Sequence, residues 1–252
     1  MDVQEQNWQN FCANHMQDWH GIWTRYSPQA EVLESFQSVR SFRCNPQQTE
    51  IYQVNRYKYA DGRTEEKHWQ YNPGIIKSFF FEQGSVVAAE KQLEPNLPFV
   101  VEFLFKHEEL QLRNSAIAVY DESGSLTRTA SVREDAAGFP SKYWSTELNL
   151  LPERNFSSNW QGSSMTMTPD LQVSTSITTQ QQFSREGKQA VFFPDEISLF
   201  YPEKICIGES FTILANWLVT PSYLQQMSVK YDESGALLGV TFELLQKLET
   251  EG

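Results

Sequence analysis

The chain has little of what marks most catalytic or metal-binding proteins. Its 252 residues include three cysteines and four histidines. Cys12, Cys44 and Cys206 are far apart, with no CxxC pair and no Cys/His grouping. Neither a disulfide framework nor a structural zinc site is indicated by this spacing. The histidines, His15, His20, His68 and His107, each stand alone, and surface or helix-cap roles are expected for them. Basic runs are missing too: 20 Lys and Arg stand against 32 Asp and Glu, a net charge of −12. Nucleic acid is therefore not expected as a partner, because phosphate binding needs clustered cations. No apolar stretch reaches the roughly 18 residues of a membrane span. The first residues, Met1 to Trp19, carry neither a basic segment nor an apolar one, so a cytoplasmic location is expected. GxSxG, HExxH, GxGxxG and P-loop patterns are absent. No catalytic residue, metal or cofactor is indicated. Asn155-Phe156-Ser157 has the form of a glycosylation acceptor, without meaning in the cytoplasm.

Aromatic residues are plentiful: 17 Phe, 10 Tyr and 7 Trp favour strands, where flat rings fill a pleated surface. The opening segment differs from the rest. Trp8, Phe11, Cys12, Met16 and Trp19 recur at spacings of three and four, which predicts one amphipathic helix over the first eighteen residues, packed as a lid. After Gly21 strands follow. Glu31 to Arg43, Thr49 to Tyr59, Arg63 to Tyr71, Lys77 to Phe81, Val86 to Lys91, Pro98 to Lys106, Leu110 to Tyr120 and Leu126 to Arg133 are separated by short turns such as Asp61-Gly62. This spacing predicts an all-β antiparallel barrel over residues 1–135 with a leading helix. Residues 136–153, with Gly138, Pro140 and Pro152, read as a linker. Residues 154–252 read as a smaller barrel. Its strands are Ser163 to Thr168, Leu171 to Phe183, Gln189 to Phe193, Glu196 to Tyr201, Lys204 to Cys206, Ser210 to Thr220, Leu224 to Tyr231 and Leu237 to Lys247. Leu244 to Leu248 reads as a frayed helical end.

The halves resemble each other. Residues 19–42 align without gaps on 160–183. Trp19 falls on Trp160, Gly21 on Gly162, Pro28 on Pro169, Val32 on Val173, Ser35 on Ser176 and Phe42 on Phe183, six identities in 24 positions. Tyr120-Asp121-Glu122-Ser123-Gly124-Ser125-Leu126 recurs as Tyr231-Asp232-Glu233-Ser234-Gly235-Ala236-Leu237. Each copy joins two apolar strands as a hairpin loop with Gly in the left-handed position. An internal duplication is expected, the second copy being shorter.

Trp19-His20-Gly21-Ile22-Trp23 resembles the opening of the calycin superfamily, the lipocalins and fatty-acid-binding proteins. In those barrels a short helix precedes a Gly-x-Trp strand, and the Trp closes one end beneath a basic residue from a late strand. The resemblance implies a closing role for Trp19, Gly21, Trp23, Trp160 and Gly162, with Arg128 as the basic partner; Ser164 stands where Trp23 would recur. The whole chain is also similar to an uncharacterised calycin-like family found mainly in cyanobacteria. A neighbouring calycin group, the lyases that attach bilins to phycobiliproteins, supplies an analogy for tetrapyrrole handling.

Basic and aromatic residues alternate along the strands of the first half. Arg40, Arg56, Trp69, Tyr71, Phe79, Phe81, Arg113 and Arg128 are candidates to line a cavity, because a buried Arg demands a carboxylate from the protein or from a ligand. Glu65-Glu66 and Glu108-Glu109 are neighbours that face opposite ways in a strand, so neither pair acts jointly as acid and base. The leading expectation is non-enzymatic binding of a small apolar or amphipathic molecule, a fatty acid or tetrapyrrole, in the first barrel. A bilin lyase or isomerase and a structural, partner-binding module are the alternatives; no protein partner is named by the residues.

Overall fold

The computed structural model describes residues 2–154, 159–179 and 188–248. The glycosylation-like triplet, the far end of the strand expected to reach Phe183, and Phe183 itself lie outside them. The fold is all-β, two tandem barrel-like antiparallel sheets behind one short helix. α1 spans Val3–His15. The first sheet holds nine strands: β1 Asp18–Tyr26, β2 Val32–Cys44, β3 Ile51–Tyr59, β4 Thr64–Tyr71, β5 Phe79–Phe80, β6 Val86–Ala88, β7 Phe99–His107, β8 Leu112–Tyr120 and β9 Leu126–Asp135. The second holds seven: β10 Trp160–Met167, β11 Val173–Thr179, β12 Gln189–Phe193, β13 Ile197–Tyr201, β14 Phe211–Thr220, β15 Tyr223–Tyr231 and β16 Leu237–Lys247. Four expectations are corrected. β1 begins at Asp18, before Gly21. β9 runs two residues past Arg133, Lys204–Cys206 is loop with a single bridge from Lys204 to Ser125, and Leu244–Lys247 is strand rather than helix.

Both sheets follow one plan. The order β4-β3-β2-β1-β9-β8-β7-β6-β5 is matched by β11-β10-β16-β15-β14-β13-β12, with no counterpart of β3 or β4 among the described residues of the second sheet. Gly21 lies opposite Ser38 and Glu134, and Gly162 opposite Thr178 and Leu245. The ungapped match therefore places β1 on β10 correctly. It slips by one residue in the next strand, because β1 and β2 change register between Arg25 and Tyr26. Ser35 faces Thr24 while Thr175, not Ser176, faces Met165.

Each sheet turns one face to the other. Phe99, Val101, Phe103 and Phe105 of β7, Tyr120 of β8, Ile213, Ala215 and Trp217 of β14 and Met227, Val229 and Tyr231 of β15 all belong to one core between the sheets. That burial is the main apolar driving force. The opposite, inner face of the first sheet is closed at one end by α1, whose Trp8, Phe11 and Cys12 pack on Trp19, Phe42, Ile51 and Phe80. The asparagines of α1 serve as partners for a sheet edge. Asn7 Oδ1 accepts from Phe80 N at 2.8 Å, and Asn10 Nδ2 donates to Phe80 O at 2.8 Å. The helix thereby covers β5, whose backbone would otherwise be an open template.

The repeated Asp-Glu-Ser-Gly loops lock the halves together reciprocally. Ile205 N donates to Gly124 O and Leu126 N to Glu203 O; in the other direction, Leu93 N donates to Gly235 O and Leu237 N to Lys91 O. The two tyrosines do likewise: Tyr120 OH donates to Pro202 O at 3.0 Å, Tyr231 OH to Glu90 O at 2.5 Å. Within each loop the first Asp accepts the same three bonds, Asp121 from Ser123 N, Ser123 Oγ and Ser125 N, Asp232 from Ser234 N, Ser234 Oγ and Ala236 N. Gly124 has φ +76°, and a Cβ there would sit 1.9 Å from Ile205 O. Gly124→Ala should therefore cost about 3–5 kcal/mol, since left-handed strain adds to a backbone clash that no side chain can relieve. Urea unfolding monitored by tryptophan fluorescence measures it.

Candidate functional site

The inner face of the first sheet carries a row of charge. Gly21, Glu134, Arg113 and Lys106 lie directly opposite one another on β1, β9, β8 and β7. Arg40 enters from β2, on the far side of β1. Gly21 makes this meeting possible, for a Cβ at that position would stand 2.6 Å from Glu134 Cγ. Both guanidinium groups bind the one carboxylate. Arg40 Nε donates to Glu134 Oε1 at 2.5 Å and Arg40 Nη2 to Oε2 at 2.5 Å; Arg113 Nε donates to Oε2 at 2.5 Å. Arg40 Nη1 is held more loosely, 3.5 Å from Glu102 Oε1, a carboxylate that also accepts from Ser115 Oγ at 2.6 Å. Arg40, Arg113 and Glu134 are buried, whereas the Glu102 side chain is 24% exposed.

Burial opposes the charge on all three groups, and the pairing decides the outcome. For Glu134 the two cations outweigh burial and hold its carboxyl below the usual range. For Arg40, Glu134 and the bonds to it outweigh burial and raise its pKa. Arg113 responds oppositely: burial comes first, Arg40 adds repulsion, and its pKa falls to about 10. The two arginines compete for one carboxylate, and both remain charged at neutral pH. His15, at the end of α1, lies against the same cluster, with Arg113 Nη1 donating to its Nδ1 at 3.1 Å. Burial, then Arg113, Lys106 and Arg40, push its pKa well below the ordinary value, so it is neutral. His15 is thus a buried neighbour of the cluster rather than a surface residue, and its Nε2 has no partner.

Aromatic rings surround the charges. Arg113 stacks 4.3 Å from the Trp19 ring, Arg40 5.5 Å from Trp23. Trp23, the ring of the Gly-x-Trp strand, is thus met by Arg40 and not by Arg128, which is exposed on β9, while Arg113 caps Trp19. Trp19 is fully buried and closes this end; Trp23 is half-buried, its Nε1 donating to Ser38 Oγ at 2.9 Å. Tyr71 lies on the same face, half-buried, with its hydroxyl donating to Gln53 Oε1 at 2.9 Å, and Trp69 marks the exposed rim at 38%. Arg56 points outward and pairs with Glu66 at 2.7 Å. Phe79 and Phe81 face the core between the sheets, where Phe81 meets Phe242 with ring centres 5.3 Å apart, so neither lines the inner face of the first sheet. Of the eight proposed lining residues, the structure gathers Arg40, Arg113, Tyr71 and Trp69. It adds Glu134, Glu102 and His15, which the sequence reading left out.

The second sheet arranges its inner face differently. Gly162, Leu245, Leu224 and Leu218 occupy the row that holds Gly21, Glu134, Arg113 and Lys106 in the first. Trp160 packs on those leucines as Trp19 packs on the arginine.

A family model described as "Domain of unknown function (DUF3598), N-terminal" matches residues 4–139. The chain belongs to the DUF3598 family. A second model, "Biogenesis factor required for ATP synthase 1, C-terminal domain", matches residues 181–248. The crystal structure of a DUF3598 protein of unknown function from Nostoc punctiforme is similar over 96% of this chain and 99% of that one, at 20% identity and a TM-score of 0.78. That likeness shows the fold of this DUF3598 member. Two further structures align over most of their length at 10% identity with little superposition. They are a putative AttH from Nitrosomonas europaea (92% of this chain, 93% of that, TM-score 0.25) and an S-type phycobiliprotein lyase from Guillardia theta (100% and 95%, TM-score 0.21). No curated protein matches. No helix among the described residues is long and apolar enough to cross a membrane.

Two measurements test the cluster. Glu134→Gln keeps the shape but leaves two buried guanidinium groups together, and should cost about 3–5 kcal/mol in chemical denaturation. His15, with its folded pKa lowered, contributes stability that is present above its unfolded value near 6.5 and is lost as pH falls below it, at up to about 1.4 kcal/mol per pH unit. His15→Leu should flatten the stability–pH profile between roughly pH 6.5 and 5.

Proposed function

We propose that the inner face of the first sheet binds an amphipathic small molecule that carries a carboxylate or similar anionic group, without catalysis. One observation carries this reading: the matching row of the second sheet is built from leucines, so the fold does not require the charges. A buried ion cluster is no more stabilising than well-packed apolar residues, and its retention in one half points to use. Arg40 Nη1 is the donor available to a ligand, since it is tied only to the partly exposed Glu102 at 3.5 Å. An incoming carboxylate would replace Glu102 there as the acceptor of a charge-assisted bond. Trp23 and Tyr71, both half-buried, and the exposed Trp69 would flank the apolar part. Fatty acids and bilin propionates have this chemistry.

The test uses a dansyl-labelled undecanoic acid, followed by fluorescence, with native mass spectrometry for bilins. Saturable uptake is expected, with the methyl ester at least about tenfold weaker, the equivalent of about 1.4 kcal/mol. The triple variant Arg40→Met, Arg113→Leu, Glu134→Leu should keep the stability of the parent within about 1–2 kcal/mol and lose the acid. Equal affinity for acid and ester, or no saturable uptake of either, would overturn the proposal.

A partner-binding role is the second reading, favoured by the match of residues 181–248 to the C-terminal domain of a biogenesis factor. Recovery of one stoichiometric partner from native lysate on the second half, undiminished in the triple variant, would favour it.

A further inference from the structure

The two halves differ again at the far end of their strands, beside the Asp-Glu-Ser-Gly loops. In the first sheet Val100, Val119 and Arg128 lie opposite one another on β7, β8 and β9. The matching row of the second sheet is Thr212, Lys230 and Gly239 on β14, β15 and β16. The loop bonds extend the match to the neighbouring segment. Leu126 N donates to Glu203 O where Leu237 N donates to Lys91 O, so Lys204 stands at the place of Gln92. Two lysines of the second half thus replace a valine and a glutamine of the first.

These two lysines border a groove of about 320 Å³. A third joins them from a separate segment: Lys188 precedes β12, Lys204 lies in the loop after β13, and Lys230 is on β15. None of the three is in an ion pair among the described residues. The chain has a net charge of −12, yet Glu209 is the one carboxylate among the residues lining the groove. Asp121 lies near Lys204 as well, but its own loop occupies it with bonds from Ser123 and Ser125. Ser210 and Thr212 add two hydroxyls. Pro202 and Phe211 supply an apolar wall, where the Phe211 ring stacks on Tyr231 with centres 4.8 Å apart. Like charges brought around one space repel each other, and Val119 and Gln92 show that the architecture does not ask for them.

We infer that this groove binds a small molecule carrying a phosphate group, with the anion among Lys188, Lys204 and Lys230 and the apolar body against Pro202 and Phe211. Ammonium groups act as compact point charges, which suits a phosphate, whereas the planar guanidinium groups of the first sheet match a flat carboxylate. Three lysines less one glutamate leave an excess of two positive charges, which a phosphate monoester of charge about −2 neutralises. Ser210 and Thr212 donate to the remaining oxygens. The site shares no residue with the Arg40–Glu134 cluster and stands whether or not that cluster binds a ligand.

Phenyl phosphate is the probe, titrated into the whole chain by isothermal calorimetry. Benzenesulfonate has the same shape with a single charge, and inorganic phosphate is the anion without the ring. Saturable binding of phenyl phosphate is expected, at least about tenfold tighter than that of either control and weakening as salt is raised. Lys204→Gln with Lys230→Val copies Gln92 and Val119 of the first half. Both lysines are exposed, so the variant should unfold thermally as the parent does and bind at least about tenfold more weakly. Lys204→Gln alone should weaken binding as well, and Glu209→Gln should tighten it. The triple variant Arg40→Met, Arg113→Leu, Glu134→Leu should bind phenyl phosphate like the parent, which separates this site from the first sheet. The absence of saturable binding, equal affinity for benzenesulfonate, undiminished binding in the double variant, or attachment to phosphatidic acid vesicles without uptake of phenyl phosphate would each overturn the inference.

Discussion

Both faces of each sheet are closed to water where the central strands run, and this constraint shapes the rest. Along β8 and β13 burial is almost unbroken rather than alternating. One face meets the partner sheet; the other looks into the space that its own sheet curls around. Any polar side chain on a central strand must therefore find its partners inside the protein. The first sheet meets that demand with an Arg–Glu–Arg cluster under two indole rings, the second with a row of amides, hydroxyls and one carboxylate.

The exchange of rows separates what the fold needs from what it tolerates. Gly21 and Gly162 open the same strand in the two halves, and Trp19 and Trp160 pack two positions earlier. Beyond that shared frame, leucine replaces Glu134 and Arg113, while polar residues replace Val132 and Leu104. Neither polar row is therefore a requirement of the architecture. Each demands partners from its surroundings, and the two demands differ in sign and in chemistry.

Local signals are legible in the sequence. The three-and-four spacing of Trp8, Phe11 and Cys12 marks α1, and Asp-Gly and Ser-Gly turns mark the hairpins. The Trp-x-Gly and Asp-Glu-Ser-Gly repeats point to the parallel construction of the two sheets. Facing was less legible, because burial on both sides removes the period-two pattern that would separate Phe79 and Phe81 from Phe80. Glu134 is not legible as a site residue, because Glu-Asp-Ala-Ala-Gly has the composition of a loop, although the ladder with β8 carries β9 as far as Asp135. Nothing near Arg40 in the chain announces a carboxylate that lies 94 residues away. Arg128, by contrast, fits the calycin-like spacing of a late-strand cation but lies exposed, six residues along β9 from Glu134.

The reciprocal clasp formed by the Asp-Glu-Ser-Gly loops has a consequence for how the molecule comes into being. Each loop completes its bonds only on a segment that the other half contributes, so neither half is finished when it leaves the ribosome alone. The first hundred and thirty-odd residues emerge with one wide apolar flank bare and must wait for the second sheet before that flank is sheathed. The reciprocal bonds of the two loops therefore close only once both halves of the polypeptide have been made.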